Sequence, residues 1–318
     1  MSFEDKQLTF GGAGGGILGP PWGVLGSITA RALEPLGYRI AINGDAWGPF
    51  NPRMMAAGEV DFGATRASNA LAAYRGKHQF DGEEPRTNLR AIAAIQHPTW
   101  EAVAVRWETG ISSLADIRDR QLPVRVVGGE STAARIILES YGLSRQLIES
   151  WGGKFQGSPP AGAGNIRTQF SWVRGGDYDL IMGAIFSGYG PEVWQLLEAS
   201  ILHNLRFLPL ADHAVRRLCE EEGGQQSMLP HHLLRGLDRD VPSVMRMPQI
   251  VYGRDDMPES FAYTVARALD EHSHLFREVY LAYSYDWRAV GLNTGIPLHP
   301  GAAQYYREKG YPMQQFDA

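Results

Sequence analysis

Cysteine is almost absent from this sequence. The 318 residues include a single one, Cys219, so no intrachain disulfide can form. Cys219 lies in an apparently helical stretch with charged neighbours and no evident base, which argues against a catalytic thiol. The chain must therefore owe its stability to packing rather than to covalent cross-links.

Long apolar runs are also missing. No stretch approaches the roughly 18 continuous apolar residues that a membrane span needs, so direct membrane insertion is not expected. Residues 1–10 contain neither the basic region nor the apolar core of a secretory signal. We therefore expect either that a signal was removed or, if the chain is full-length, that the protein is cytoplasmic.

An excess of positive charge is lacking as well. The sequence has 30 Lys and Arg against 35 Asp and Glu, a net charge of -5, and a pI near 6.0. These values give no general attraction to phosphate backbones, so nucleic acid is not an expected partner. Hydrophobic residues make up 44% and charged residues 20%, as in average globular proteins, which predicts a packed core.

What the sequence does contain is a repeated order of strand, loop and helix. Residues 7–10 form an apolar strand signal, glycines follow at 11–16, and helical spacing begins near Leu25. The same order returns over residues 123–141. Alternating strands and helices predict an α/β fold with mainly parallel sheets. Because a single core stops growing at roughly 250–300 residues, we expect two lobes with a ligand cleft between them.

The chain is expected to cross between the two lobes twice. A helix start resembling a capping box at Ser113 follows the first crossing, and a strand signal at 249–252 follows the return. The expected divisions are residues 1–108 for the first part of lobe 1, 109–244 for lobe 2, and 245–318 for the return to lobe 1 with its C-terminal helices.

The first glycine run predicts an anion-binding loop. Gly14, Gly15 and Gly16 precede a helix, where free backbone amides can face a ligand anion. Residues 14–19 also match the dinucleotide pattern G-x-G-x-x-G, but two prolines follow, and the next predicted strand ends at Ile42 and is followed by Asn43 rather than by an acidic residue. We therefore prefer an organic anion and expect no cofactor. A purely structural turn is the alternative.

Residues 128–132 repeat this arrangement in the second lobe. Four ligand-binding residues are predicted there, namely Gly129, Glu130, Ser131 and Thr132. Backbone donors and hydroxyls precede a helix, so the two loops together can grip one carboxylated molecule. The alternative is that Ser131 or Thr132 is simply a helix N-cap.

Arg66 is the first choice for a carboxylate contact. It follows an apolar strand, with Ser68 close behind, at the sheet end where ligands of open α/β folds bind. A structural ion pair at a domain edge is the competing interpretation. Asp45, Trp47 and Trp22 are predicted in loops at the same end, where aromatic walls suit a ligand with an apolar body. Ordinary packing also explains both tryptophans.

Catalytic and metal-binding patterns are scarce. None of the nine histidines has a metal-ligand spacing such as His-Glu-x-x-His, so no metal site is predicted. Ser187 lacks the glycine two residues before it that a nucleophile elbow needs. In an enzyme, Asp45, Glu130 or His97 would have to supply the acid or base. A binding protein needs no such group, and it is the preferred interpretation.

Six segments together resemble the TAXI family of TRAP-transporter solute receptors. They occur in order over nearly the whole chain, at residues 8–16, 55–63, 89–94, 110–117, 138–143 and 295–301. The resemblance implies the type II periplasmic-binding-protein fold, a periplasmic location, and a receptor that delivers a small, often carboxylated solute to membrane transporter subunits. The family's pocket corresponds here to residues 14–16, 45–47, 66–68 and 129–132.

The sequence departs from that family at its ligand loops. Family members usually have threonine and tyrosines after the first glycine run, whereas residues 17–22 read Ile-Leu-Gly-Pro-Pro-Trp, which indicates a larger or more aromatic ligand. The missing signal leaves an alternative, a cytoplasmic enzyme of the same fold. It would be a decarboxylase or a related lyase or hydrolase acting on an aromatic or small carboxylic acid. A ligand-sensing partner of a regulatory protein is a third interpretation.

Overall fold

A computed structural model of the chain describes residues 3–12, 21–44, 51–129, 131–156, 171–186, 194–279, 281–282 and 284–316. The chain divides into two compact units, each with its own sheet. Unit 1 contains Met1–Pro98 and Met247–Ala318, and unit 2 contains the intervening Thr99–Arg246.

Five of the described strands form the sheet of unit 1. They are β1 (Gln7–Gly11), β2 (Arg39–Asn43), β3 (Phe62–Arg66), β4 (Leu89–Ile95) and β12 (Gln249–Arg254). Their order across the sheet is β2-β1-β3-β12-β4. The first three strands run parallel, while β12 is antiparallel to both β3 and β4. A strand from the C-terminal part of the chain therefore lies between two strands of the N-terminal part.

Helices of unit 1 pack on this sheet through apolar stripes. The α-helices are α1 (Pro21–Leu33), α2 (Asn51–Ala56), α3 (Ala67–Arg75), α10 (Glu259–Glu271) and α11 (Pro300–Lys309). Short 3-10 helices cover Phe3–Asp5, Glu34–Leu36, His78–Phe80 and Ser273–Glu278. On α10, Phe261, Val265 and Leu269 recur every four residues and are all buried, as expected for a helix that covers a sheet.

Aromatic rings and paired glycines shape the core of unit 1. The Phe62 ring meets Phe10 and Phe261 edge to face, with centroids 5.1 and 5.3 Å apart. Next to them, β1 and β3 pair Gly11 with Gly63. A Cβ atom on Gly63 would lie only 2.4 Å from the Gly11 carbonyl oxygen, so this approach of the two backbones requires glycine.

In unit 2, the residues that the structure describes contribute seven strands to one sheet. They are β5 (Thr99–Arg106), β6 (Arg125–Val127), β7 (Lys154–Gln156), β8 (Leu180–Phe186), β9 (Leu205–Phe207), β10 (Gln225–Leu229) and β11 (Val241–Met245). The order is β10-β11-β5-β8-β6-β7, and β9 also pairs with β5. β6, β7 and β8 run parallel, while β5 is antiparallel to β8, β9 and β11.

Six described α-helices belong to unit 2. They are α4 (Leu114–Asp119), α5 (Thr132–Ser140), α6 (Arg145–Ser150), α7 (Ser171–Gly175), α8 (Trp194–Leu202) and α9 (Asp212–Glu222). A 3-10 helix covers Trp107–Thr109. The expected capping box at the start of α4 is present, since the Ser113 hydroxyl accepts from the backbone and Asp116 accepts in return. Within the described ranges, no helix is both long and apolar enough to cross a bilayer.

An ion pair ties the first strand of unit 2 to the residue that ends the unit. Glu101 on β5 is 4% exposed, and both of its carboxylate oxygens accept hydrogen bonds from the Arg246 guanidinium. The Arg246 backbone N–H donates to the Thr99 carbonyl at 2.7 Å, and the Ser243 hydroxyl donates to the Glu101 carbonyl. The segment that forms unit 2 is thus closed where its two ends meet.

The predicted fold class, an α/β fold of two lobes, is confirmed. The expectation of mainly parallel sheets is wrong, because β12 and β5 pair antiparallel with their neighbours in the two sheets. The sequence assigns residues 1–108 to lobe 1, 109–244 to lobe 2 and 245–318 to lobe 1. In the structure β5 belongs to the sheet of unit 2, because its backbone pairs with β8, β9 and β11. Unit 2 therefore begins at Thr99.

Replacing Glu101 by leucine is expected to lower the free energy of unfolding by about 3–5 kcal/mol, because the guanidinium of Arg246 then stays buried without its carboxylate. The double variant Glu101→Leu with Arg246→Met is expected to recover most of that loss. Urea denaturation measures both. Glu149→Gln, which breaks the exposed pair with Arg145, serves as the control and should cost less than about 1 kcal/mol. A single-variant loss as small as that of the control would contradict the assigned role of the pair.

Candidate functional site

One end of the unit 1 sheet, where four parallel strands finish, holds several described residues that sequence reasoning selected. β1, β2 and β3 are parallel, and β4 runs in the same direction because β12 is antiparallel to both β3 and β4. Four strands therefore end at this edge, and β12 begins there. The residues that follow the strand ends at this edge include Arg66, Ser68 and His97.

Arg66 and Ser68 are brought together by the junction of β3 and α3. Arg66 is the last residue of β3 and the N-cap of α3, and its backbone is extended. The Ala67 N–H donates to the Pro248 carbonyl at 2.9 Å, which fixes the start of the helix beside β12. Ser68 is buried in the first turn of α3. An arginine and a hydroxyl thus adjoin a helix N-terminus, which is a suitable setting for an anion. Their role in binding stays a prediction.

Trp22 packs into unit 1. The prediction that it lies in a loop is wrong, because α1 begins at Pro21 and contains Trp22 in its first turn. Proline is favoured at this position, since its missing N–H is not needed there. The indole is 6% exposed and its N–H donates to the Gln249 side-chain oxygen at 2.5 Å. This burial favours packing over an aromatic wall for a ligand.

Sequence reasoning did not select Gln249, although it is buried at the same edge, 3% exposed. It pairs with Arg66 on one side of β12 and with Ile95 on the other. The sequence signal that could have identified Gln249 is its position as a polar residue at the start of the apolar strand 249–252. Its partner Trp22 is 227 positions earlier in the chain, so only the folded structure reveals the contact.

His97 is the one candidate acid or base within the described ranges. It follows β4, is 6% exposed, and its Nδ1 lies 3.4 Å from the Ser284 hydroxyl oxygen. Burial lowers the pKa of His97 to about 4. The imidazole is therefore neutral at pH 7, and a group with this pKa is a weak base there.

The candidate loop of unit 2 follows β6. Gly128 has φ +79°, and a Cβ atom on it would lie 2.0 Å from the Met182 carbonyl oxygen. A Cβ on Gly129 would lie 2.8 Å from the Phe155 ring. Both glycines are therefore required by packing, whatever the loop binds.

Ser131 and Thr132 begin the helix after this loop. Ser131 is the N-cap of α5, because its hydroxyl oxygen accepts from the Ala134 N–H at 3.1 Å. The N-cap interpretation is thus observed for Ser131. The residue is exposed, and its hydroxyl hydrogen is still available to donate to a ligand. Thr132 is the first residue of α5.

The remaining predicted ligand residues lie outside the described residues. They are Gly14, Gly15, Gly16, Asp45, Trp47 and Glu130. In the part of the chain that the structure describes, no three His, Cys, Asp or Glu side chains are grouped to hold a metal ion.

Comparison with known proteins gives one family and several structural likenesses. Residues 11–310 match the model of the NMT1-like family. A TctC solute-binding protein from Polaromonas is similar at 15% identity and a TM-score of 0.47, with 96% of this chain and 97% of that chain covered. The alkanesulfonate-binding protein SsuA from Xanthomonas axonopodis pv. citri, bound to MOPS, is similar at 17% identity and a TM-score of 0.43, with 86% and 75% covered. At these TM-scores we draw no conclusion about ligand or fold from the two structures.

Replacing Gly128 by alanine is expected to lower the free energy of unfolding by about 2–5 kcal/mol, through backbone strain and the clash with Met182. Gly110→Ala is the matched control. Gly110 also has a positive φ, +65°, but no atom lies within 4 Å of the point that its Cβ would occupy, so only the strain of about 1–2 kcal/mol should appear. Chemical denaturation measures both variants, and equal losses would show that packing does not require glycine at 128.

Acidification is expected to destabilise the protein through His97. Its pKa in the folded state, about 4, lies below the ordinary value of 6.5, so the unfolded chain binds the proton more readily. The contribution is fully present above pH 6.5 and is lost as the pH falls toward 4, by up to about 3 kcal/mol. Unfolding free energies of wild type and His97→Asn, measured from pH 7 to 4, should differ in slope over this range. Parallel curves for wild type and His97→Asn would contradict the assignment.

Proposed function

We propose that this chain, which belongs to the NMT1-like family, is a solute-binding receptor for a small organic anion. The observation that carries the proposal is the junction of β3 and α3. There Arg66 and Ser68 adjoin a helix N-terminus at the sheet edge where open α/β folds bind ligands. A guanidinium at this point suits the two oxygens of a carboxylate.

Loop 128–132 of unit 2 is a second candidate for anion binding in this proposal. Its helix α5 begins with an exposed hydroxyl, that of Ser131, and with the free backbone donors of the first turn. Both units thus present the N-terminal end of a helix after a parallel strand. Each of these helix starts is therefore a candidate position for an anion.

In its finer form, the proposal is a TRAP-type receptor of the TAXI kind. The six segments that resemble that family support it, and they imply a carboxylated solute, a periplasmic location and membrane transporter subunits as partners. The alternative, an enzyme of the same fold, requires an acid or base at the site. His97 has a pKa of about 4 and is almost fully buried, so it does not favour the enzyme.

Native mass spectrometry of the purified protein tests the proposal first. We expect a retained ligand that carries a carboxylate and is recovered unchanged after incubation with fresh protein. Loss of carbon dioxide or of another group from that ligand would mean that the protein is an enzyme. Arg66→Ala is expected to weaken binding of the recovered ligand at least tenfold, about 1.4 kcal/mol, by calorimetry.

Arg75→Ala is the matched control for this experiment, because Arg75 is exposed at the other end of α3 and carries the same charge. Its affinity for the recovered ligand should equal that of wild type. If Arg66→Ala binds as tightly as Arg75→Ala, Arg66 does not belong to the site. A recovered ligand without any acidic group would contradict the proposed ligand class.

A further inference from the structure

Unit 2 contains a groove that the proposed receptor site does not use. Its volume is about 840 Å³, and all of its lining residues belong to unit 2. The groove lies beside β9, which pairs with the end of β5, and β5 is antiparallel to β8. It therefore lies toward the amino ends of β6 and β8, whereas loop 128–132 follows the carboxyl end of β6. The groove and the candidate loop are therefore at opposite ends of the strands of the same sheet.

Three arginines are among the lining residues of this groove, namely Arg206, Arg235 and Arg239. Among the described residues, none of the three has a carboxylate within ion-pair distance, unlike Arg125, Arg217 or Arg246 in the same unit. Asp238 is the one carboxylate in the lining. The lining thus carries a net charge of about +2 in a chain whose net charge is -5. Such a concentration of positive charge attracts an anion.

Two of the three arginines are held in place by neutral partners. Arg235 donates to the Ile201 carbonyl at 3.1 Å and to the Asn204 side-chain oxygen at 2.9 Å. Arg206 donates to the Ile111 carbonyl at 3.1 Å. These bonds restrict the side chains without neutralising them, and the remaining N–H groups are available to an anion. Binding would therefore lose little side-chain entropy.

An aromatic surface adjoins the guanidinium groups. The indole of Trp107 is 59% exposed, and the Arg206 guanidinium lies 4.1 Å from its ring centroid. Gly236 is another lining residue, and a Cβ atom on it would lie 2.7 Å from the Leu205 carbonyl oxygen, so the backbone packs closely there. A flat ring can thus stack near Trp107 while its acidic groups reach the arginines.

We propose that this groove is a second binding site, for a small aromatic anion that carries two or more carboxylates. Two net positive charges match a dianion, and planar guanidinium groups pair with carboxylates through two parallel hydrogen bonds. The exposed indole selects a ligand with a ring. The proposal does not depend on the receptor function, because no residue of the groove belongs to the receptor site.

The test uses the full chain labelled with 5-fluorotryptophan and isophthalate as the probe. Eight tryptophans give separate ¹⁹F signals, and Trp107→Phe assigns the signal of Trp107. Isophthalate is expected to shift the Trp107 signal in a saturable way. Arg235→Ala and Arg239→Ala are each expected to weaken this binding at least fivefold, whereas Asp238→Asn is expected to strengthen it, because it removes the one opposing charge.

Controls separate the groove from the proposed receptor site. Arg216→Ala removes the same charge from an exposed position on α9 outside the groove and should leave the affinity unchanged. Arg66→Ala should also leave the Trp107 titration unchanged, so failure of either site is seen independently. A Trp107 signal that does not shift, or shifts equally with the uncharged dimethyl ester, would overturn the proposal. So would full affinity in both Arg235→Ala and Arg239→Ala. The other tryptophan signals report whether each variant is folded.

Discussion

The buried pair of Glu101 and Arg246 is the interaction on which unit 2 depends. β5 is the strand that three others join, and Glu101 places a carboxylate on it with almost no contact with water. Such a charge is tolerated only with a partner that neutralises it and satisfies its oxygens. Arg246 does this from 145 positions away, and its own backbone bonds to Thr99. The carboxylate on β5 therefore requires the last residue of the unit as its partner.

The candidate ligand residues show that packing and binding draw on the same positions. Gly128 and Gly129 fit closely against Met182 and Phe155, and Ser131 caps a helix. Each of these three residues has a structural role that requires no ligand. The same arrangement also leaves backbone donors at the start of a helix. Arg66 differs in kind, because it contributes a charged side chain rather than backbone donors at the start of a helix. A carboxylated ligand is therefore tested more directly at Arg66 than at the glycines.

Local patterns in the sequence predicted much of the fold, because alternating strands and helices and their end signals involve nearby residues. Arg66 at the end of β3 and the cap at Ser131 belong to this class. Partners of remote strands could not be predicted. The apolar sequence of β5 would suit a buried strand in the sheet of either unit. Only its backbone pairing with β8 assigns it to unit 2. The contact between Trp22 and Gln249 was likewise hidden by distance along the chain.

The position of β12 governs the order in which the two units can be completed. It lies between β3 and β4, yet it follows the whole of unit 2 in the chain. During synthesis from the N-terminus, β3 and β4 must wait without the strand that joins them until residue 254 has been made. By then every strand of unit 2 is already available. The unit that begins the chain is thus the last to close, and its unpaired strand edges are the surface that a chaperone would have to protect on the ribosome.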